Sequence, residues 1–354
     1  MRILFLTPYP RGSAPSQRFR FEHYYQTLTD SGISFHTQSF LDDKAWSVLY
    51  QQGMLLQKAA AIFRGFLRRT FCLFTLTRYD FVFIHREAAP VGPPIFEWCM
   101  ARVFRKKIIY DFDDAIWLPN ASDANRFASS VKYYHKVASI CRWACKISVG
   151  NDFLADYARQ FNTNVQVMPT VVDTEKVYRQ LKDQDTPTVV VGWTGTHSTI
   201  RFLEPLLPLV LKVCHETNAH FLVIADKSPA IDFEKFEFVK WKEETEAEDV
   251  LRMNIGIMPL GEDDWSKGKC GFKAIQYMAL GIPAIVSPVG VNSKIVDHNT
   301  NGFLCNNDQE WEAALRKLIA DAALRTVMGK AAQLKIRTQY SKQAWSNGFL
   351  KLFS

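Results

Sequence analysis

Short β-branched and aromatic runs alternate with longer stretches of helical period along the chain, the order of a parallel sheet with crossover helices. The first series of strand candidates is Arg2–Thr7, Ile33–Phe40, Asp80–His85, Lys107–Phe112, Lys146–Val149 and Val165–Met168. A second series follows at Val189–Trp193, His220–Ala225, Phe236–Trp241, Ile255–Leu260, Pro283–Ser287 and Phe303–Cys305. Each series suffices for one doubly wound α/β sheet, so the pattern predicts two such units in tandem. A length of 354 residues agrees with two domains. The polar stretch Asp173–Pro187 is the expected boundary, giving domains at 1–172 and 183–341.

Hydrophobic residues make up 47% and charged residues 22%, ordinary globular usage that excludes long disorder. No apolar stretch approaches the roughly 18 residues of a spanning helix. The opening MRILFLTPYP is broken at Thr7 and Pro8 and reads as a first buried strand rather than a leader. Seven scattered cysteines show neither a CxxC pair nor a zinc spacing, so reduced thiols and a cytoplasmic location are expected. No GxGxxG follows Arg2–Thr7 and no GxxxxGK[ST] occurs, which removes the main support for dehydrogenase and P-loop readings.

The net charge of +7 is concentrated. From Lys44 to Tyr79 there is no acidic residue, while Lys44, Lys58, Arg64, Arg68, Arg69 and Arg78 contribute +6. Phe63, Phe66 or Leu67, Phe71 and Phe74 recur at helical spacing, so the segment reads as a basic amphipathic helix. A packed helix accounts for the apolar face. The one-sided charge points to an anionic membrane surface or a lipid-phosphate acceptor. No nucleic-acid motif accompanies it, and nucleic acid is not an expected partner.

The most informative segment runs from Trp265 to Asn292. A polar loop with Lys267, Lys269, Gly271 and Lys273 enters a helix whose apolar residues Phe272, Ile275, Met278 and Ala279 keep helical spacing, and Gly281 ends it. Unpaired amides at a helix start, joined by ammonium groups and cleared by glycines, form an anion site suited to phosphate. A second candidate is Val191–Thr199, where Gly195, Thr196, His197, Ser198 and Thr199 follow a strand and offer amides and hydroxyls to a diphosphate. A plain helix cap by Ser198 or Thr199 uses the same groups.

Lys273-Ala-Ile-Gln276-Tyr277-Met278-Ala279-Leu280-Gly281, with the later Asn301-Gly302-Phe303-Leu304, resembles the carboxyl-half signature of the GT-B glycosyltransferases, in particular retaining family 4. The resemblance implies an α/β GT-B architecture, two Rossmann-like doubly wound domains facing each other across a cleft, with the last helix, 342–354, returning to the first domain. It also implies that Gly195, Thr196, His197, Ser198, Lys267, Gly271, Phe272, Gln276 and Tyr277 bind a nucleotide-sugar donor, and that Lys269 and Lys273 stabilise the departing diphosphate. The family's Glu-x7-Glu pair falls here on Gly268 and Gln276, so neither carboxylate is present. Gln276 retains the hydrogen-bonding capacity to hold a ribose.

In the first half, Pro8–Arg20 follows the first strand where the family places an acceptor-side loop, and Gly12, Ser16, Arg18 and Arg20 are its candidate contacts. His85-Arg86-Glu87 and Asp111-Phe112-Asp113-Asp114 close two further strands. Asp113 and Asp114 are candidate catalytic or acceptor-binding carboxylates; pairing of an Asp with Arg86 is the structural alternative. The DxD reading of Asp111–Asp113 as a metal site is rejected, because lysines and amides meet the leaving group's charge without a metal. No cofactor is expected. The implied activity is transfer of a sugar from a nucleoside-diphosphate-sugar to a hydroxyl on a glycan or lipid-linked acceptor, with retention, by a cytoplasmic protein peripheral on the inner face of the membrane. A nucleotide-sugar epimerase or hydrolase, a catalytically silent sugar-nucleotide binder and a membrane-surface adaptor are the rivals.

Overall fold

A computed structural model describes residues 1–49, 53–119 and 132–354. The chain divides into two units, Met1–Thr170 with Ser346–Ser354, and Val171–Trp345. Among the described residues, the first unit holds strands β1 (Arg2–Thr7), β2 (Ser34–Ser39), β3 (Phe81–His85), β4 (Lys107–Phe112), β5 (Lys146–Val149) and β6 (Val165–Val167). The second holds β7 (Val190–Thr194), β8 (His220–Ala225), β9 (Phe236–Lys240), β10 (Ile255–Met258), β11 (Ala284–Val286) and β12 (Gly302–Leu304). Every expected strand is present within two residues of its expected bounds.

Both sheets are wholly parallel, in the orders β2-β1-β3-β4-β5-β6 and β12-β11-β10-β7-β8-β9. Strand order reverses between β1 and β3 in the first sheet and between β7 and β10 in the second, the points where doubly wound sheets bind ligands. Central strands such as β1, β3 and β4 are buried on both faces, which is why they read as continuous apolar runs. The edge strand β2, Ser-Phe-His-Thr-Gln-Ser, has a half-exposed polar side.

Asp173–Pro187 looks like a linker in composition, yet it packs into the second unit, which begins at Val171 rather than 183. Tyr178 and Gln184 are buried, and Gln184 Oε1 accepts from Asn254 Nδ2 (3.1 Å) and Arg325 Nε (3.0 Å). Near the carboxyl terminus, Phe349 stacks on Tyr24 with ring centroids 4.4 Å apart, and Phe353 packs on Phe5, Phe81 and Phe83 in the first unit.

The basic segment folds with the opposite face inward from a helix that buries its phenylalanines. Helix α1 (Leu55–Leu73) turns Ala61, Gly65, Arg69 and Cys72 to the core, while Phe63, Phe71 and the following Phe74 are 62%, 67% and 76% exposed. Arg69 is buried; it donates to the carbonyls of Thr7 (2.8 Å), Gln38 (2.9 Å) and Ala88 (2.7 Å) and to Gln38 Oε1 (2.7 Å). Burial lowers it to about 10, still charged at neutral pH. Phe66 alone of the expected aromatic face packs inward, on Phe40 and Phe96. Residues 50–52 of the segment lie outside the described residues.

Candidate functional site

In the second unit the lysine loop leads into helix α2 (Phe272–Ala279), which follows β10. Gly271 caps it with φ +67°, and a Cβ there would come within 2.1 Å of Ile295 Cδ1, so the position requires glycine twice over. Asn292, buried, donates through Nδ2 to Ser287 O (3.0 Å), while its Oδ1 faces Gly271.

Tyr277 locks α2 to the sheet. Its ring covers Gly256 of β10, where a Cβ would come within 2.3 Å, and its hydroxyl accepts from Thr194 N (2.9 Å) at the end of β7 and donates to Ile257 O (3.3 Å). Burial raises the hydroxyl above its ordinary value, so it stays protonated. Tyr277 was expected to touch the donor, but it sits inside the core and positions the site from beneath. Gln276 is also buried and donates through Nε2 to Tyr178 Oη (2.6 Å).

One turn before Tyr277, Lys273 places its ammonium 5.5 Å from the ring centroid of Trp193, the buried indole near the end of β7. Gly195 lies against the same indole: a Cβ there would be 2.2 Å from Trp193 Cη2 and 2.7 Å from Thr199 Oγ1. The two candidate anion segments, 78 positions apart in sequence, therefore meet on one ring at the β7/β10 reversal. Lys269 rests over Trp265 (5.1 Å), whereas Lys267 pairs with Asp264 (2.9 Å) in solvent.

The loop after β7 does not lead straight into a regular helix, in keeping with Pro205 and Pro208 ahead of it. It enters a 3-10 turn, Ile200–Phe202, and a regular helix starts only at Leu207, beyond Pro205. Thr196 N donates to Thr199 Oγ1 (3.0 Å), Thr196 Oγ1 and Ser198 Oγ lie 2.9 Å apart, and His197 N donates to Asp226 Oδ1 (2.6 Å). Asp226, directly after buried β8, anchors the loop through both oxygens, the second on His197 Nδ1. Sequence reasoning passed it over, although a carboxylate directly after a buried strand is itself a signal.

In the first unit the loop after β1 is held by two buried side chains. Gln17 accepts from Tyr9 N (3.0 Å) and donates to Tyr9 O (3.1 Å), Pro10 O (3.2 Å) and Glu22 Oε1 (3.1 Å); Glu22 Oε2 accepts from Gly12 N (2.9 Å). Burial raises Glu22 above the usual carboxylate range. Ser16 lies in the short helix Pro15–Arg18, and Arg18 stacks over Phe19.

Arg20 is not a surface clamp. It is 4% exposed, and its guanidinium bonds Asp111 Oδ1 (2.5 Å), Ser148 Oγ (3.0 Å) and Met168 O. His85 Nδ1 holds the other Asp111 oxygen (2.8 Å). Burial alone would raise Asp111, but Arg20 and His85 hold it below the carboxylate range. Arg86, with φ +61°, grips Asp113 Oδ1 (3.0 and 2.8 Å) and Asp114 Oδ2 (2.8 Å), so both candidate catalytic carboxylates are paired with it. Against its burial, Arg86 draws Asp113 below the ordinary value. Glu87 pairs with Lys136 (2.6 Å).

Residues 188–321 match the family model described as Glycosyl transferases group 1. No curated protein matches the sequence. Solved structures match over nearly the whole chain: a glycosyltransferase from Rickettsia africae (12% identity, 99% of this chain and 97% of that one, TM-score 0.70), and HepE from Anabaena with UDP and glucose (13%, 99% and 98%, 0.65). Starch synthase IV from Arabidopsis thaliana, bound to ADP and acarbose, is similar at 10% identity (99% and 98%, 0.67). The chain has the GT-B fold.

In this GT-B chain, Gly195 and Lys273 converge on Trp193, and Gly271 opens the helix that carries Lys273. Arg86, Asp113 and Asp114 form one cluster in the other unit. Arg20 and Tyr277 serve the core, and Lys267 lies at the solvent edge. Trp193, Asp226 and Tyr178 join the site from outside the expected set. Their contacts span 80, 29 and 98 positions, and of the three only Asp226, directly after a buried strand, carries a local signal.

Proposed function

We propose that this GT-B chain transfers a sugar from a nucleoside-diphosphate-sugar to a hydroxyl acceptor with retention and without a metal. The bond from the anomeric carbon to the diphosphate breaks, a bond to the acceptor oxygen forms, and the acceptor's proton leaves. Negative charge grows on the departing diphosphate, and that is what the second unit is built to meet. The observation that carries the reading is the convergence of Lys273 and the Gly195 loop on Trp193 at the strand-order reversal. There an ammonium, a glycine-cleared backbone and the amides opening α2 are brought together. That HepE and starch synthase IV hold UDP and ADP supports the donor class. Asp113 and Asp114 are assigned to the acceptor side, oriented by Arg86.

We expect Lys273→Ala to lower turnover by about 10²–10³-fold, roughly 3–4 kcal/mol, while the protein stays folded. Thermal shift against uridine, adenosine and guanosine diphosphosugars names the donor, because a ligand of the folded form raises its melting point. A Lys273→Ala protein with wild-type rate removes the proposed site. One observation favours a silent binder instead: Gln276, in place of a family carboxylate, is engaged by Tyr178. A donor that binds but is never consumed, with any acceptor, selects that reading.

The acceptor is assigned to a membrane-associated glycan or lipid-linked intermediate, reached from the inner membrane face, on the strength of the acid-free segment 44–79. Among the described residues no helix is long and apolar enough to cross a membrane.

A further inference from the structure

We infer that the outer face of α1 and the adjoining basic cavity form a docking surface for an anionic phospholipid bilayer. This deepens the peripheral-membrane part of the reading above, and rests on it, by naming the side chains that make contact. Leu56, Phe63, Leu67, Phe71 and Phe74 lie on one side of the helix, spaced 7, 4, 4 and 3 residues apart, and all are exposed. The opposite side is fixed to the core. Gly65 is pressed on Phe40 so closely that a Cβ would meet the ring at 2.5 Å, and Arg69 is tied to four oxygens. The helix therefore has no inward rotation available that would cover the stripe. Over 19 residues it presents a ridge about 28 Å long, shaped for a plane rather than a groove.

Beside the ridge lies a cavity of about 440 Å³ lined by His36, Gln38, Arg68, Phe71, Arg78 and Tyr79. Phe71 belongs to both the ridge and the cavity wall. Arg68 is shared with Asp42 (3.0 Å) and the carbonyls of Ser39 and Phe40, so the cavity's charge rests chiefly on exposed Arg78. Arg64 flanks the stripe, and no acidic residue occurs between 44 and 79. That composition selects the occupant. A second copy laid on this face would bring the same cations against themselves, whereas headgroup phosphates complement them while Phe and Leu enter the acyl boundary. The cavity would receive one headgroup phosphate.

The test is co-sedimentation of the full chain with neutral phosphatidylcholine vesicles and with vesicles containing phosphatidylglycerol. The wild type is expected to bind the anionic vesicles at least about tenfold more tightly. Phe63→Ser with Phe71→Ser should weaken that binding about tenfold or more, and Arg64→Ala with Arg78→Ala should remove most of the lipid preference. Because the substitutions lie in the first unit, the thermal shift given by the donor nucleotide should be unchanged and reports a folded protein. Wild type that binds while both variants bind equally well overturns the docking surface and leaves the peripheral reading standing. Wild type that ignores anionic vesicles overturns both. A wild-type dimer made monomeric by the phenylalanine pair would assign the ridge to a second copy and overturn the inference.

Discussion

The carboxyl edges of the two sheets use charge in opposite ways. At the first edge, three cations meet carboxylates: Arg20 on Asp111, Arg86 on Asp113 and Asp114, Lys136 on Glu87. At the second, Lys273 and Lys269 rest on the faces of Trp193 and Trp265. An ammonium seated on an indole keeps its attraction for a further anion, while an arginine already bound by two carboxylates has spent most of its donors. The first edge is thus organised around buried and half-buried internal pairs, while at the second two ammonium groups lie on indole faces beside a glycine-cleared backbone. On the proposed function, the same fold element serves as scaffold in one unit and as anion site in the other.

The most severe way to strain this comparison is Arg20→Met. It leaves Asp111 charged and buried with only His85 and Ser148 beside it, and breaking a buried pair of this kind costs about 3–5 kcal/mol. For a unit of this size the melting temperature should fall by roughly 10 °C, read by calorimetry or urea unfolding. A variant melting with the wild type would mean that Arg20 is spare and therefore available to a ligand.

Gly195→Ala probes the other edge with a smaller effect. The added methyl must displace Trp193 or the Thr199 hydroxyl, and either shift moves the seat of Lys273. Donor affinity by calorimetry should drop about tenfold, roughly 1.4 kcal/mol, with little change in urea midpoint. Unchanged affinity would separate the Gly195 loop from the phosphate site.

The strands were legible because buried parallel strands need continuous apolar runs, and Arg2–Thr7 or His220–Ala225 can hardly be anything else. The Lys273 helix was legible from its glycines and lysines. What sequence did not disclose were long-range pairings. Arg20 looked like a ligand clamp because its partner lies 91 positions away, and the phenylalanines of α1 looked like a core face because Arg69 is satisfied by backbone oxygens from three other segments. Periodicity reports that two faces differ, but it cannot say which one the rest of the chain will cover. Asp173–Pro187 misled in the same way: its polar groups find buried partners, Asn254 and Arg325, far along the chain.

The smallest expected effect concerns acid. Asp111 and Asp113 are held below their ordinary values by Arg20, His85 and Arg86 despite burial. A carboxylate lowered in the folded state contributes stability that is fully present above its unfolded value, about 3.9, and is lost as pH falls through the folded value. Glu22, raised by burial, acts in the opposite direction, gaining relative stability as pH drops, and partly offsets them. Below about pH 4 the first unit should therefore loosen before the second. Hydrogen exchange followed by mass spectrometry should show β1, β3 and β4 losing protection while β7 and β10 keep theirs. If both sheets lose protection together as the acid is increased, the paired carboxylates are not what holds the first edge, and the contrast between the two edges would reduce to the lysines alone.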